Sequence, residues 1–326
     1  MSALIVTGGC GFIGSHLVDR LLAETDDRII IIDKISYASN IDYIRALCRN
    51  NNRVELIEEC ITNRFNLRYI LNEYSPRGIF HLAAESHVDR SINSPRPFIE
   101  SNIIGTFELL EAVRAYQNES KNSVRFIHIS TDEVYGDLAP DEPKFNEQTS
   151  YKPSSPYSAS KAASDHLVKA WHRTYNLDAI ITNCSNNYGP RQHTEKLIPC
   201  IINKALKGEQ LPVYGDGRQI RDWLYVEDHA NALIKVFNRG KSGETYCIGG
   251  NAEMQNIEVV KIICNIIEQQ TNLKDRHNLI SYVKDRPGHD VRYAIDTTKI
   301  ENELGWSPLF SFKYGIENTV KQYLNK

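Results

Sequence analysis

The sequence predicts an α/β protein in which a doubly wound parallel sheet carries a smaller C-terminal α/β lobe. Short runs rich in Ile, Val and Phe alternate with amphipathic stretches through the first half of the chain, and a glycine-rich turn sits at the first of these junctions. Strands buried on both faces of a parallel sheet read as continuous apolar runs, and strand-helix alternation lets consecutive strands lie parallel. A third observation, scattered Pro and Gly after Gly189-Pro190, marks where the regular pattern loosens.

In chain order, residues 4–7, 28–33, 54–57, 78–83 and 124–130 read as buried strands. Residues 12–22, 66–74 and 98–116 read as the helices between them, and a helix over 157–175 followed by a strand over 179–183 continues the pattern. Beyond it, Pro199, Pro212, Gly215, Gly217, Pro287, Gly288 and Pro308 punctuate shorter elements. The expected organisation is a Rossmann-type dinucleotide-binding domain over 1–186 and a substrate-binding lobe over 187–326. Part of 219–240 is expected to return to the first domain.

The 326 residues, 41% hydrophobic and 24% charged, have the composition of a water-soluble globular chain. A formal net charge of −3 gives no reason to expect nucleic acid or an anionic membrane as partner, so an anionic substrate would need a local cluster of Arg and Lys. No apolar run approaches the roughly 20 residues that span a bilayer. The seven cysteines are scattered and never form a C-x-x-C pair, which argues for free thiols in a reducing compartment. With no signal-like N-terminus, the expected location is cytoplasmic. No His, Cys, Asp or Glu cluster has metal-ligand spacing, so no metal is expected.

Gly8, Gly11 and Gly14 follow the first strand and open the first helix. Glycine there permits the tight turn and close backbone approach to a pyrophosphate, while the helix N-terminus offers unpaired N–H groups. Asp33 ends the second strand, where a carboxylate accepts hydrogen bonds from ribose hydroxyls and repels a 2′-phosphate. NAD is therefore favoured over NADP, although Lys34 adjoins Asp33 and acts against that preference.

Tyr157 and Lys161 lie four apart, on one face of a helix. A free phenol titrates near 10, too high for a base at neutral pH. A lysine cation about 4 Å away, at an effective dielectric near 20, is worth roughly 4 kcal/mol, enough to lower that pKa by about 3. Thr131, Asp132 and Glu133 close the preceding strand. Neighbours on a regular strand point to opposite faces, so an irregular strand end is needed to aim both acids inward.

With these motifs in place, the chain resembles the extended short-chain dehydrogenase/reductase superfamily, and within it the dTDP-glucose 4,6-dehydratases. The matching segments are 8–14, 82–91, 130–136, 157–161, 183–190, 195–199, 219–223 and 285–290, with Thr131-Asp132-Glu133 the most discriminating. The resemblance implies that Tyr157, next to Lys161, takes the C4 hydroxyl proton of a glucosyl nucleotide as hydride passes to NAD, with Thr131 bonding that hydroxyl. Glu133 would then remove the C5 proton and Asp132 protonate the departing C6 hydroxyl, two carboxyls driven apart in pKa. It further implies cofactor contacts from Gly8, Gly11, Phe12, Ile13, Gly14, Asp33, Ile61, Tyr157 and Lys161. Substrate contacts would come from Ser86, Asn186, Lys196, Leu197, Pro212, Tyr214, Arg221, Asn256, Arg286 and His289. Of these, Arg221 and Arg286 suit phosphate because guanidinium binds its oxygens bidentately.

The resemblance also implies a homodimer through helices 98–116 and 157–175, with Phe107, Leu110 and Val113 either at that interface or facing only the sheet. Several residues depart from the family pattern. Cys60 stands where Asp is usual, His193 and Thr194 where an aromatic and a proline are common, and Cys247 where Asn is usual. UDP-glucose stays open beside dTDP-glucose. A 4-epimerase or decarboxylase of the same superfamily, and a catalytically silent NAD-binding scaffold, are the alternative readings.

Overall fold

A computed structural model describes residues 2–325. Its first half runs β1 (Ala3–Thr7), α1 (Phe12–Glu24), β2 (Arg28–Asp33), α2 (Ile41–Asn50), β3 (Val54–Glu58), α3 (Arg64–Tyr74) and β4 (Gly78–His81). It continues through α4 (Val88–Asn93), α5 (Arg96–Phe98), a π-helical turn (Ile99–Ile104), α6 (Gly105–Ser120) and β5 (Arg125–Thr131). A 3-10 turn (Asp132–Tyr135), α7 (Pro156–Tyr175) and β6 (Ala179–Cys184) follow.

The second half holds β7 (Asn186–Tyr188), α8 (Leu197–Lys207), β8 (Leu211–Tyr214), β9 (Ile220–Tyr225), α9 (Val226–Arg239) and β10 (Thr245–Ile248). It ends with β11 (Glu253–Gln255), α10 (Asn256–Gln270), β12 (Ile280–Val283), α11 (Thr298–Leu304) and α12 (Phe312–Leu324).

Seven strands form the main sheet in the order β10-β6-β5-β4-β1-β2-β3, every pair parallel. The strand order reverses beside β1, and the crevice beyond the carboxyl ends at such a reversal is where open α/β sheets bind ligands. Side chains alternate between faces. Leu4 and Val6 pack with α1 and α9 on one face, while Ala3 and Ile5 pack with α3 and α6 on the other. The first core also draws on Tyr246 and Ile248 of β10 and on Ile300 and Leu304 of α11. A separate core joins α8, α10 and α12. Over it lie a three-stranded sheet, β11-β9-β7, and the pair β12-β8.

The structure departs from expectation over 98–116, where the helix carries a π turn. Asn102 accounts for it: the wider turn swings its amide inward to bond both the N (2.8 Å) and O (3.0 Å) of Glu85 and the Ser160 hydroxyl (2.9 Å). Leu110 and Val113 are wholly buried against the sheet, which removes them from any dimer face. Among the described residues no helix is long and apolar enough to cross a membrane, and no cluster could hold a metal ion.

Candidate active site

The glycine turn is fixed by packing. Gly8 adopts φ 71°, and a Cβ on it would meet the Ala83 backbone at 2.6 Å; one on Gly14 would lie 2.3 Å from the Gly8 carbonyl. Gly11 caps α1 without a side-chain bond to the helix amides, so these face the cleft. Asp33 accepts hydrogen bonds from Cys10 N–H (3.0 Å) and Ile35 N–H (2.9 Å), and burial pushes its carboxyl up. A cavity of about 300 Å³ runs from here along Phe12, Ile13 and Ile61 to Thr131, Asp132, Glu133, Tyr157 and Lys161. An open helix terminus beside a carboxylate at a cleft this long fits a dinucleotide.

Thr131, Asp132 and Glu133 sit where β5 ends. The chain leaves the strand at Thr131 and coils into the 3-10 turn, whose start is held by Glu133 N–H donating to Thr131 Oγ1 (3.3 Å). That irregular end places both carboxyls on the cavity wall. Asp132 is buried, and one of its carboxyl oxygens has no protein partner. Burial, then the Glu133 and Asp222 carboxyls, push it well above the usual range. Glu133 is only half-buried; burial raises it, and Arg286, Lys196 and Arg221 pull it back. Both carboxyls are thus raised, Asp132 further, while three cations favour ionisation of Glu133.

A capping box of Ser155 and Ser158, with Pro156 in the first turn, sets the start of α7 and so the position of Tyr157. Lys161 Nζ donates to the Ile129 carbonyl (2.9 Å), and burial lowers its pKa. Burial and the neighbouring Glu133 and Cys184 push the Tyr157 phenol well above its ordinary value, with a Thr131 hydrogen bond opposing them. This reverses the direction expected from Lys161 alone, because desolvation of a phenolate in an apolar wall outweighs one cation.

Ser86, Asn186 and Lys196 line the same cavity, and Lys196 Nζ donates to the Ser86 carbonyl (2.8 Å). Leu197, Pro212, Tyr214, Arg221, Asn256, Arg286 and His289 lie outside its wall, although Arg221 and Arg286 still act on Glu133. Arg221 donates to the carbonyls of Ile220 (2.7 Å) and Asp290 (2.9 Å) and lies 4.3 Å over the Tyr293 ring. Arg286 reaches Asp89 at 3.4 Å, Tyr214 donates to the same carboxylate (3.2 Å), and His289 pairs with Asp285 (2.6 Å). Leu197 opens α8, Pro212 lies in β8, and Asn256 opens α10 with its side-chain oxygen buried and unpartnered. Sequence reasoning missed Asp89 and Cys184. Asp89 meets Arg286 across 197 positions, a contact that no local spacing signals.

The model of the GDP-mannose 4,6 dehydratase family matches residues 5–319. A dTDP-glucose 4,6-dehydratase of Haemophilus influenzae is 52% identical over 99% of this chain and 98% of its own length. One from Escherichia coli is 53% identical over 99% of this chain and 93% of its own. Among solved structures, the dTDP-glucose 4,6-dehydratase DesIV of Streptomyces venezuelae, with NAD and TYD bound, superposes with a TM-score of 0.92 at 41% identity. That match covers 99% of this chain and 97% of that one.

Proposed function

The chain belongs to the dTDP-glucose 4,6-dehydratase family, and from that premise we propose how its residues divide the reaction. It is an NAD-dependent hydro-lyase that converts dTDP-glucose to the 4-keto-6-deoxy sugar nucleotide. The Gly8–Gly14 turn, Asp33, Ile61, Tyr157 and Lys161 would hold NAD, which would supply a hydride acceptor at C4 and a hydride donor at C6, so no net oxidation results. Tyr157 removes the C4 hydroxyl proton, with Thr131 orienting that hydroxyl. The resulting ketone acidifies C5, Glu133 takes its proton, and Asp132 donates to the C6 hydroxyl as water leaves; Glu133 then gives a solvent-exchanged proton back to C5 as C6 gains hydride.

Burial raises the phenol of Tyr157, and the positive charge that a bound oxidised nicotinamide would supply acts in the opposite direction, toward the phenolate. Arg221, Arg286 and Lys196 hold the diphosphate, with contributions from Asn186, Leu197, Asn256 and His289. Pro212 and Tyr214 flank the base, and Ser86 meets the sugar. The carrying observation is the contrast between Asp132, buried with its charged form disfavoured, and Glu133, half-buried and faced by three cations. A 4-epimerase has no C6 leaving group to protonate, so it does not require this split.

Incubation with dTDP-glucose in D2O, followed by mass spectrometry, tests the reading. It expects a 4-keto-6-deoxy product carrying deuterium at C5. A 4-epimer as sole product would overturn it, and parallel turnover of UDP-glucose measures how strictly the base is read. In Glu133→Gln, C4 oxidation should persist while C5 exchange stops.

The protein would act as a homodimer. Ile99 and Ile104 of the π turn and Tyr175 at the end of α7 are exposed apolar residues on the helices expected to pair, and Phe107 packs edge-on against Trp171 between them. A cytoplasmic location accords with seven unpaired thiols.

A further inference from the structure

Behind the catalytic edge lies a buried polar cluster that the reaction steps leave unused. Asp165, one turn beyond Lys161 on α7, is 0% exposed. Its Oδ2 accepts from the hydroxyls of Ser130 (2.9 Å) and Tyr151 (2.9 Å) and from the Asn183 amide (3.3 Å), while its Oδ1 lies 3.1 Å from His128 Nε2. Two of these donors belong to the site itself. Ser130 directly precedes Thr131, and Asn183 also donates to the Thr131 carbonyl (3.1 Å).

Donors converging on a carboxylate favour its charged form, and a charge sealed from water persists only when it is also paired. The groups facing Lys161 and Asp165 are His81 from β4, His128 from β5, Cys184 from β6, and Tyr135 and Tyr151 from the chain between β5 and α7. Burial suppresses ionisation in all five: His128 is held to about 4, His81 is likewise lowered, and the thiol and both phenols are raised. Asp165 is the carboxylate one helical turn from Lys161, not in direct contact with its ammonium but favouring it through its field. Building on the role given to Lys161 above, we propose that Asp165 is a positioning residue, the counter-charge of the Lys161 ammonium and the shared anchor of the Ser130-Thr131 strand end.

Asp165→Asn keeps the shape and removes the charge. Without its carboxylate, Lys161 loses its proton at lower pH, so the alkaline limb of kcat/KM should move down by about one pH unit. Tyr151→Phe removes a donor but keeps the charge; it should lower the melting temperature and leave the limb in place. A wild-type limb in Asp165→Asn, or an equal shift in Tyr151→Phe, would reduce Asp165 to a structural residue. A second measurement holds even where the single variant folds poorly. Lys161→Met should lower the melting temperature by leaving Asp165 unbalanced, and adding Asp165→Asn should restore it; absence of that rescue overturns the pairing. Normal turnover by Lys161→Met would instead overturn the reading of the site, and the positioning role with it.

Discussion

The two ends of the cleft solve the problem of waiting for a ligand in different ways. At the end proposed for the dinucleotide the candidate groups are backbone amides at the start of α1, beside Gly8 and Gly14, whose neighbours leave no room for a side chain. At the end proposed for the diphosphate the candidate groups are long cations already engaged by the protein: Arg286 with Asp89, Lys196 with the Ser86 carbonyl, Arg221 with backbone carbonyls and the Tyr293 ring. Affinity at the first end is a matter of shape, set when the chain folds. At the second it is a difference between two sets of polar contacts, one exchanged for the other, and therefore responds to pH and salt.

The largest expected effect is at the rigid end. Gly14→Ala places a Cβ 2.3 Å from a carbonyl oxygen, so purified protein should retain no dinucleotide and bind added NAD on the order of 100-fold more weakly by calorimetry, about 3 kcal/mol. Wild-type retention would show that the turn does not carry the binding. Next, Arg286→Met should raise KM for the sugar nucleotide by roughly 10–100-fold, the scale of a lost charge-assisted bond, with NAD affinity unchanged. An equal fall in both affinities would erase the distinction between the ends.

A pH profile sharpens it further. Glu133 must be ionised, so kcat/KM should fall about tenfold per pH unit as acidity rises past its elevated pKa. Glu133→Gln should remove the acid limb; if that limb survives, another group is the base. Smallest of all, Asp89→Asn frees Arg286 and Tyr214 from their resident partner and should lower KM by about 2–5-fold, within the range of one exposed ion pair. A rise in KM would mean that Asp89 positions Arg286 and does not compete for it.

The sheet was legible because strands buried on both faces must be apolar throughout: residues 28–33 need no context to be read as a strand. The glycine turn was legible because its packing constraint is local. β10 was not, since four residues returning behind α9 carry no periodicity of their own. The π turn escaped because its cause, the bonds from Asn102 to Glu85 and Ser160, joins three separate segments. The pair of carboxyls could be read from Thr131-Asp132-Glu133 and their proposed division from the family resemblance, but the burial and the cations that support that division lie in the fold, more than 60 positions away for Lys196, Arg221 and Arg286. Tyr157 shows the converse. Its partner Lys161 was plain, while the desolvation that reverses the shift belongs to the folded wall.

The return of the chain to the main core constrains how a sugar nucleotide gets in and out. After β7 and β9 it comes back as α9 and β10, leaves through β11 and α10, comes back as α11, and leaves again as α12. A lid joined to its base by a single strap can swing like a door; one stitched to it at so many seams cannot. Entry and exit therefore fall to the segments around the mouth, where the Arg90–Glu195 pair and the stacking of Arg90 on Tyr37 fasten two separate loops to α4. The pace of product escape should follow how often those fastenings come undone.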